Sequence, residues 1–124
     1  MKEILFTEAA PKAIGPYRQG TATEAIVFTS GQLGIDVHTG KLVEGVEQQA
    51  HCAMKNLGEI LKAKGLSYAN ILKTTVFLKD MADFSTVNAV YASYFSGDYP
   101  ARSCVQVAAL PLGGLVEVEC VAAR

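Results

Sequence analysis

The clearest hydrophobic pattern in the chain begins at Val46, where Val46, Ala50, Ala53, Leu57, Ile60 and Leu61 recur at helical spacing. Gly65 follows as a left-handed stop, a conformation that glycine adopts without a Cβ penalty. A second helix is expected to open at Asp83 and to carry Phe84, Val87, Tyr91, Tyr94 and Phe95 on one face. Between the two, Ile71 to Leu78 is rich in β-branched residues and reads as a strand. Period-two patterning predicts further strands over about Arg18 to Thr23, Ala25 to Ser30, Arg102 to Ala108 and Leu115 to Ala122. The order β-β-β-α-β-α-β-β indicates an α+β fold, a mixed six-stranded sheet with two helices on one face.

Glycine and proline supply the punctuation. Ala10 to Tyr17 holds Pro11, Gly15 and Pro16 and reads as irregular, because each proline fixes its own φ and biases the residue before it towards extended geometry. Asp36 to Gly40 is a polar turn, and Pro111, Gly113 and Gly114 join the two closing strands. Gly31-Gln32-Leu33-Gly34 lacks both the Walker lysine and the dinucleotide fingerprint, so it is expected to be a tight turn leaving a strand. No internal repeat or low-complexity stretch marks a linker, and residues 1–124 are expected to form a single domain.

The strand from Ile71 is apolar on both faces, with Ile71 and Phe77 on one and Leu72, Val76 and Leu78 on the other. Two helices cover one face of such a sheet. The second would leave a larger apolar patch than a soluble monomer tolerates, so it is expected to pack against copies of the same chain.

Charge narrows the partners. Eleven basic and twelve acidic residues give a net charge of −1, so no long-range field draws the molecule to nucleic acid or an anionic membrane. No segment reaches the roughly 18 apolar residues of a membrane span, and Met1 to Phe6 lacks the pattern of a signal peptide, which makes the cytosol the expected compartment. Cys52, Cys104 and Cys120 are odd in number and lack CxxC spacing, which argues against a disulfide framework or a thiolate zinc site. His38 and His51 belong to no HExxH, GxSxG or clustered pattern, so neither a metal site nor a serine triad is expected.

Candidate chemistry lies in the last third. Period two places Arg102, Cys104 and Gln106 on one face of a strand, read as polar, and Ser103, Val105 and Val107 on the other, read as core. On the final strand Glu117 and Glu119 share a face opposite Val116, Val118 and Cys120. From the residues alone, arginine and glutamate on neighbouring strands form either a structural ion pair or a site.

The run Pro100-Ala101-Arg102-Ser103-Cys104-Val105, continued through Ala109-Leu110-Pro111 to Leu115-Val116-Glu117-Val118-Glu119, resembles the C-terminal signature of the Rid/YjgF family, in particular its imine-deaminating branch. Ala13-Ile14-Gly15-Pro16-Tyr17, Thr29-Ser30-Gly31-Gln32 and Asn88 extend the likeness over nearly the whole chain. The resemblance implies a chorismate-mutase-like homotrimer whose sheets form a central barrel, with ligand clefts between subunits. It implies that Arg102 holds a substrate carboxylate, that Glu117 positions and activates water, and that Tyr17, Ser30, Gly31, Asn88 and Cys104 surround the cleft. Cys104 is assigned to shaping the cleft rather than to nucleophilic attack, since hydrolysis of an imine needs no acyl intermediate. The implied reaction is hydrolytic deamination of 2-imino or enamine acids such as 2-iminobutanoate and 2-iminopropanoate, with no cofactor and no metal. Other readings are a non-catalytic protein that binds keto or amino acids and, with less support from the charge, a ribonuclease or translation inhibitor.

Overall fold

The computed structural model describes residues 1–124. Seven strands form one mixed sheet: β1 (Glu3–Leu5), β2 (Gly20–Ala22), β3 (Ile26–Thr29), β4 (Gln32–Leu33), β5 (Ile71–Leu78), β6 (Ala101–Gln106) and β7 (Val116–Ala123). Their order is β1-β2-β3-β7-β5-β6, and β4 pairs with β7 beyond the end of β3. Strands β5 and β6 run parallel, joined by a crossover through helix α2 (Phe84–Ala92), and every other pairing is antiparallel. Helix α1 (Val46–Lys62) lies with α2 on one face of the sheet.

The core sits between that face and the helices. Ala50, Ala53, Leu57, Ile60 and Leu61 of α1 meet Val116, Val118, Cys120 and Ala122 of β7 and Val76 and Leu78 of β5, all buried. The stop at Gly65 is as the sequence predicts: its φ is 74°, and the Leu66 N–H returns to the Leu61 carbonyl at 3.0 Å, as in a Schellman motif.

Several sequence expectations need correction. Gln32–Leu33 is a short seventh strand rather than only a turn, because β7 outruns β3 and offers free backbone partners at Glu117 and Val118. Helix α2 ends at Ala92, so Tyr94 and Phe95 pack from the turn beyond it. Its entrance is not capped by the Asp83 side chain; Asp80 accepts the Ala82 N–H at 2.9 Å and opens a 3₁₀ turn over Met81–Asp83 that leads into the helix. Finally, a β-bulge between Ile71 and Lys73 breaks strict alternation, so Ile71 joins Val76 and Leu78 in the core while Leu72 is 53% exposed. The predicted strands are otherwise present, shorter by one or two residues at most ends.

The face away from the helices carries Ile26, Phe28, Phe77, Val105 and Val121, and no element of the chain covers it. Phe28 is 49% and Val105 44% exposed, so the face read as core on β6 is open in the single chain, and its Cys104 face is the one that meets the core.

Close approach of β4 to α1 depends on Gly34, where a Cβ would fall 2.5 Å from the Gln49 Cα and 2.6 Å from its carbonyl oxygen. Both are backbone positions and cannot swing away. Gly34→Ala is therefore expected to destabilise the fold by on the order of 1–3 kcal/mol, read as a lowered urea midpoint.

Candidate active site

Glu117 stands on the open face of β7, opposite Phe77 on one side and Leu33 on the other. Ser30 and Gly31 pass beside it between β3 and β4, and Gly31 leaves room for the carboxylate: a Cβ would lie 2.7 Å from the Glu117 Cδ and 2.8 Å from Oε2, so a larger residue would push that side chain aside. Burial raises the Glu117 carboxyl above its ordinary value of 4.5, and the neighbouring Glu119 charge pushes the same way. A cavity of about 510 Å³ opens here, with Glu117, Gly31 and Tyr17 in its wall among apolar side chains including Ile14 and Leu112.

Tyr17 reaches this cavity because Gln19 folds the proline-rich segment back on itself. The buried Gln19 side chain donates to the carbonyls of Thr7, Ala10 and Pro11 and accepts the Thr7 N–H, at 2.8–3.2 Å. The Tyr17 hydroxyl accepts the Ile14 N–H at 3.2 Å, which closes the loop. Ser30 donates its hydroxyl to the Arg18 carbonyl and so ties the end of β3 to the same segment, without lining the cavity itself.

Arg102 lies elsewhere. On β6 it is the register partner of Thr74, and Cys104 that of Val76, so both point to the helix-covered side of the sheet. Arg102 and Asn88 line a separate cleft of about 290 Å³ between β6 and α2, walled by Tyr91 and Tyr99. Cys104 packs on the core edge, where burial raises its thiol above the ordinary value of 9.0 against the opposing pull of Arg102. A raised thiol pKa lowers the share of thiolate available for nucleophilic attack.

The predicted site residues thus fall into two groups on opposite faces of one sheet. Tyr17, Ser30, Gly31 and Glu117 gather at the open face, and Asn88, Arg102 and Cys104 at the other. An ion pair between Arg102 and Glu117 within the chain is excluded by this arrangement; the chain's single ion pair joins Lys64 to Glu3. No three His, Cys, Asp or Glu side chains converge anywhere.

Residues 7–124 match the family model described as Endoribonuclease L-PSP. The chain belongs to this family, the Rid/YjgF proteins. Among Rid/YjgF relatives, the mouse 2-iminobutanoate/2-iminopropanoate deaminase is 50% identical over the whole of this chain and 93% of its own length. The chloroplastic Reactive Intermediate Deaminase A of Arabidopsis thaliana is 53% identical over 98% of this chain, which spans only 65% of that relative's length. The E. coli TdcF crystal structure with bound serine superposes with a TM-score of 0.96 at 45% identity, covering 98% of both chains. The α+β architecture is therefore that of the Rid/YjgF structures.

Sequence reasoning missed the residues that place these groups. Gln19 carries no motif of its own; its only sequence signal is a polar residue beside a strand start, following a segment too irregular to satisfy its own carbonyls. Leu112, at φ 60° between Pro111 and Gly113, holds a left-handed conformation rare for leucine in the turn that feeds β7. Gln19→Ala is expected to remove about 1–3 kcal/mol of stability, since the buried carbonyls lose their donor. It should also speed hydrogen exchange across the hairpin it pins; unchanged exchange there would show that the segment holds its own shape.

Proposed function

We propose that this chain is a 2-imino acid deaminase that converts 2-iminobutanoate, 2-iminopropanoate and their enamine tautomers to 2-keto acids and ammonia. The active unit is a cytosolic homotrimer of the chorismate-mutase-like type, its open sheet faces closed into a central barrel. The observation that carries this reading is the segregation of Glu117 and Arg102 to opposite faces of the sheet. A water activator and a carboxylate holder so arranged can meet one small substrate only when a second copy brings its own Arg102 cleft to the Glu117 cavity. The uncovered apolar face, with Phe28 and Val105 half exposed, supplies the reason for the copies to associate.

Arg102 pairs with the substrate carboxylate through its planar fork, which offers two parallel N–H donors where lysine offers a point charge. The imine carbon is then held near a water bound by Glu117. Its raised pKa makes Glu117 a better proton acceptor than an exposed carboxylate, while it remains able to return the proton. Water adds across the C=N bond to give a tetrahedral carbinolamine; protonation of its nitrogen and loss of ammonia leave the keto acid. Water is the only co-reactant. Tyr17, Ser30, Gly31, Asn88 and Cys104 shape the cleft around these steps.

A second reading, ligand binding without turnover, is favoured by one observation, the serine bound to the related TdcF. An imine-hydrolysis assay separates the two. Ribonuclease chemistry, which the family description names, finds little support in a chain of net charge −1, which sets up no long-range attraction for a polyanion, and the proposed partners include neither nucleic acid nor membrane. No helix is long and apolar enough to cross a membrane.

Light scattering should return the mass of three chains; a stable monomer at micromolar concentration would remove the shared-site reading. With 2-iminobutanoate generated by a threonine dehydratase, keto-acid formation should accelerate in the presence of the protein. Arg102→Ala should lose keto-acid binding by calorimetry, a cost on the order of 2–5 kcal/mol for a desolvated charge pair. Glu117→Gln should bind the keto acid normally yet turn over about 10²–10⁴-fold more slowly in single-turnover assays. Wild-type rates in Glu117→Gln would withdraw the water-activating role.

A further inference from the structure

Arg102 is the only charged side chain lining the cleft between β6 and α2. Its guanidinium carbon lies 4.9 Å from the centre of the Tyr91 ring and 5.6 Å from that of Phe84. Both distances are within the roughly 6 Å over which a cation is drawn to an aromatic face. Arg102 takes no part in the chain's one ion pair, so no carboxylate of the chain competes for its N–H donors.

The rings are held by the same elements that carry the arginine. Phe84, Asn88 and Tyr91 follow one another at i, i+4 and i+7 along α2, a stripe on a single helix face. The Tyr91 hydroxyl is 2.7 Å from Thr74 Oγ1, with both residues buried. Thr74 is in turn the direct neighbour of Arg102 across the parallel β5–β6 pairing. The connection is therefore closed: Arg102 backbone to Thr74, Thr74 to the Tyr91 hydroxyl, and the Tyr91 ring back to the guanidinium. A long arginine side chain free in solvent must be ordered each time it binds, and this loop removes that cost in advance.

We propose that Phe84 and Tyr91, with Thr74 behind Tyr91, are positioning residues for Arg102. The guanidinium carbon lies over both rings, and no side chain or carbonyl of the chain takes its N–H donors, which stay available for a carboxylate. They set affinity for the carboxylate of the imino and keto acid without touching the reacting carbon. The inference rests on the reading of Arg102 as the carboxylate holder. Simple packing does not account for Phe84, which is 37% exposed and lies outside the buried core cluster.

The test uses the full-length assembled protein and Phe84→Leu, which keeps apolar bulk and removes the π face at a partly exposed site. Calorimetry with 2-oxobutanoate should show affinity weakened about fivefold, the ratio one modest cation–π contact supports. KM for the imine should rise in step, with kcat within about twofold of wild type, the pattern of lost uniform binding. The ¹⁵N order parameter of Arg102 Nε should fall, and Phe84→Tyr should restore all three. Unchanged affinity in Phe84→Leu, a loss confined to kcat, an unmoved order parameter, or failure of Phe84→Tyr to restore binding would each overturn the proposal. The two readings fail separately. A wild-type protein that binds 2-oxobutanoate with this Phe84 dependence but hydrolyses no imine would refute the deaminase reading and leave the cradle standing. Normal turnover with no Phe84 dependence would do the reverse.

Discussion

Strict alternation along β7 is the constraint on which the rest of the molecule depends. Val116, Val118, Cys120 and Ala122 are all at most 3% exposed beneath α1, and the strand is flanked by β3 and β4 on one side and β5 on the other. A slip of one residue would expose all four and drive Glu117 and Glu119 into the core. The apolar side alone forfeits roughly 1.5–3 kcal/mol for each fully exposed valine, before any cost of burying the carboxylates. Glu117 therefore has no freedom of face: core packing sets where the carboxylate stands, and burial on the far side then raises its pKa.

The same alternation on β6 sends Arg102 the other way. Because Thr74 and Val76 face the helices, their parallel partners Arg102 and Cys104 must too. The sheet thus acts as a partition with the Glu117 carboxylate on one side and the unpaired Arg102 guanidinium on the other, and a single chain carries two separate clefts rather than one. Its open apolar face and its divided chemistry are two consequences of one register.

Irregular backbone is brought to the site by buried amides. Gln19 gathers the carbonyls of Thr7, Ala10 and Pro11; Gln49 donates to the Val43 carbonyl and accepts the Leu115 N–H; Asn56 donates to the carbonyls of Leu33 and Ile35. Each satisfies backbone groups that no strand or helix could, so the segments bearing Tyr17, Gly31 and the entry to β7 are fixed without regular structure. The cost of leaving such groups unpaired is what makes these three amides, rather than any apolar contact, the supports of the Glu117 cavity.

Periodicity by itself determined the two helices, the strands on which Arg102 and Glu117 lie, and the existence of an apolar face that the helices do not reach, because side-chain direction in regular structure follows from spacing along the chain. The family motifs added Tyr17, Ser30, Gly31, Asn88 and Cys104 to those two charged residues. Tertiary structure alone decided the rest. The bulge after Ile71 reverses the faces of Ile71 and Leu72, and β4 forms only because β7 extends past β3. The placement of Arg102 and Glu117 on opposite sides of the sheet requires knowing which face the helices choose, and the aromatic cradle of Arg102 requires the crossover that lays α2 against β6. These are matters of register between strands and of contact between distant segments, and pairing across tens of residues is set by how the whole chain packs, not by any pattern within one segment.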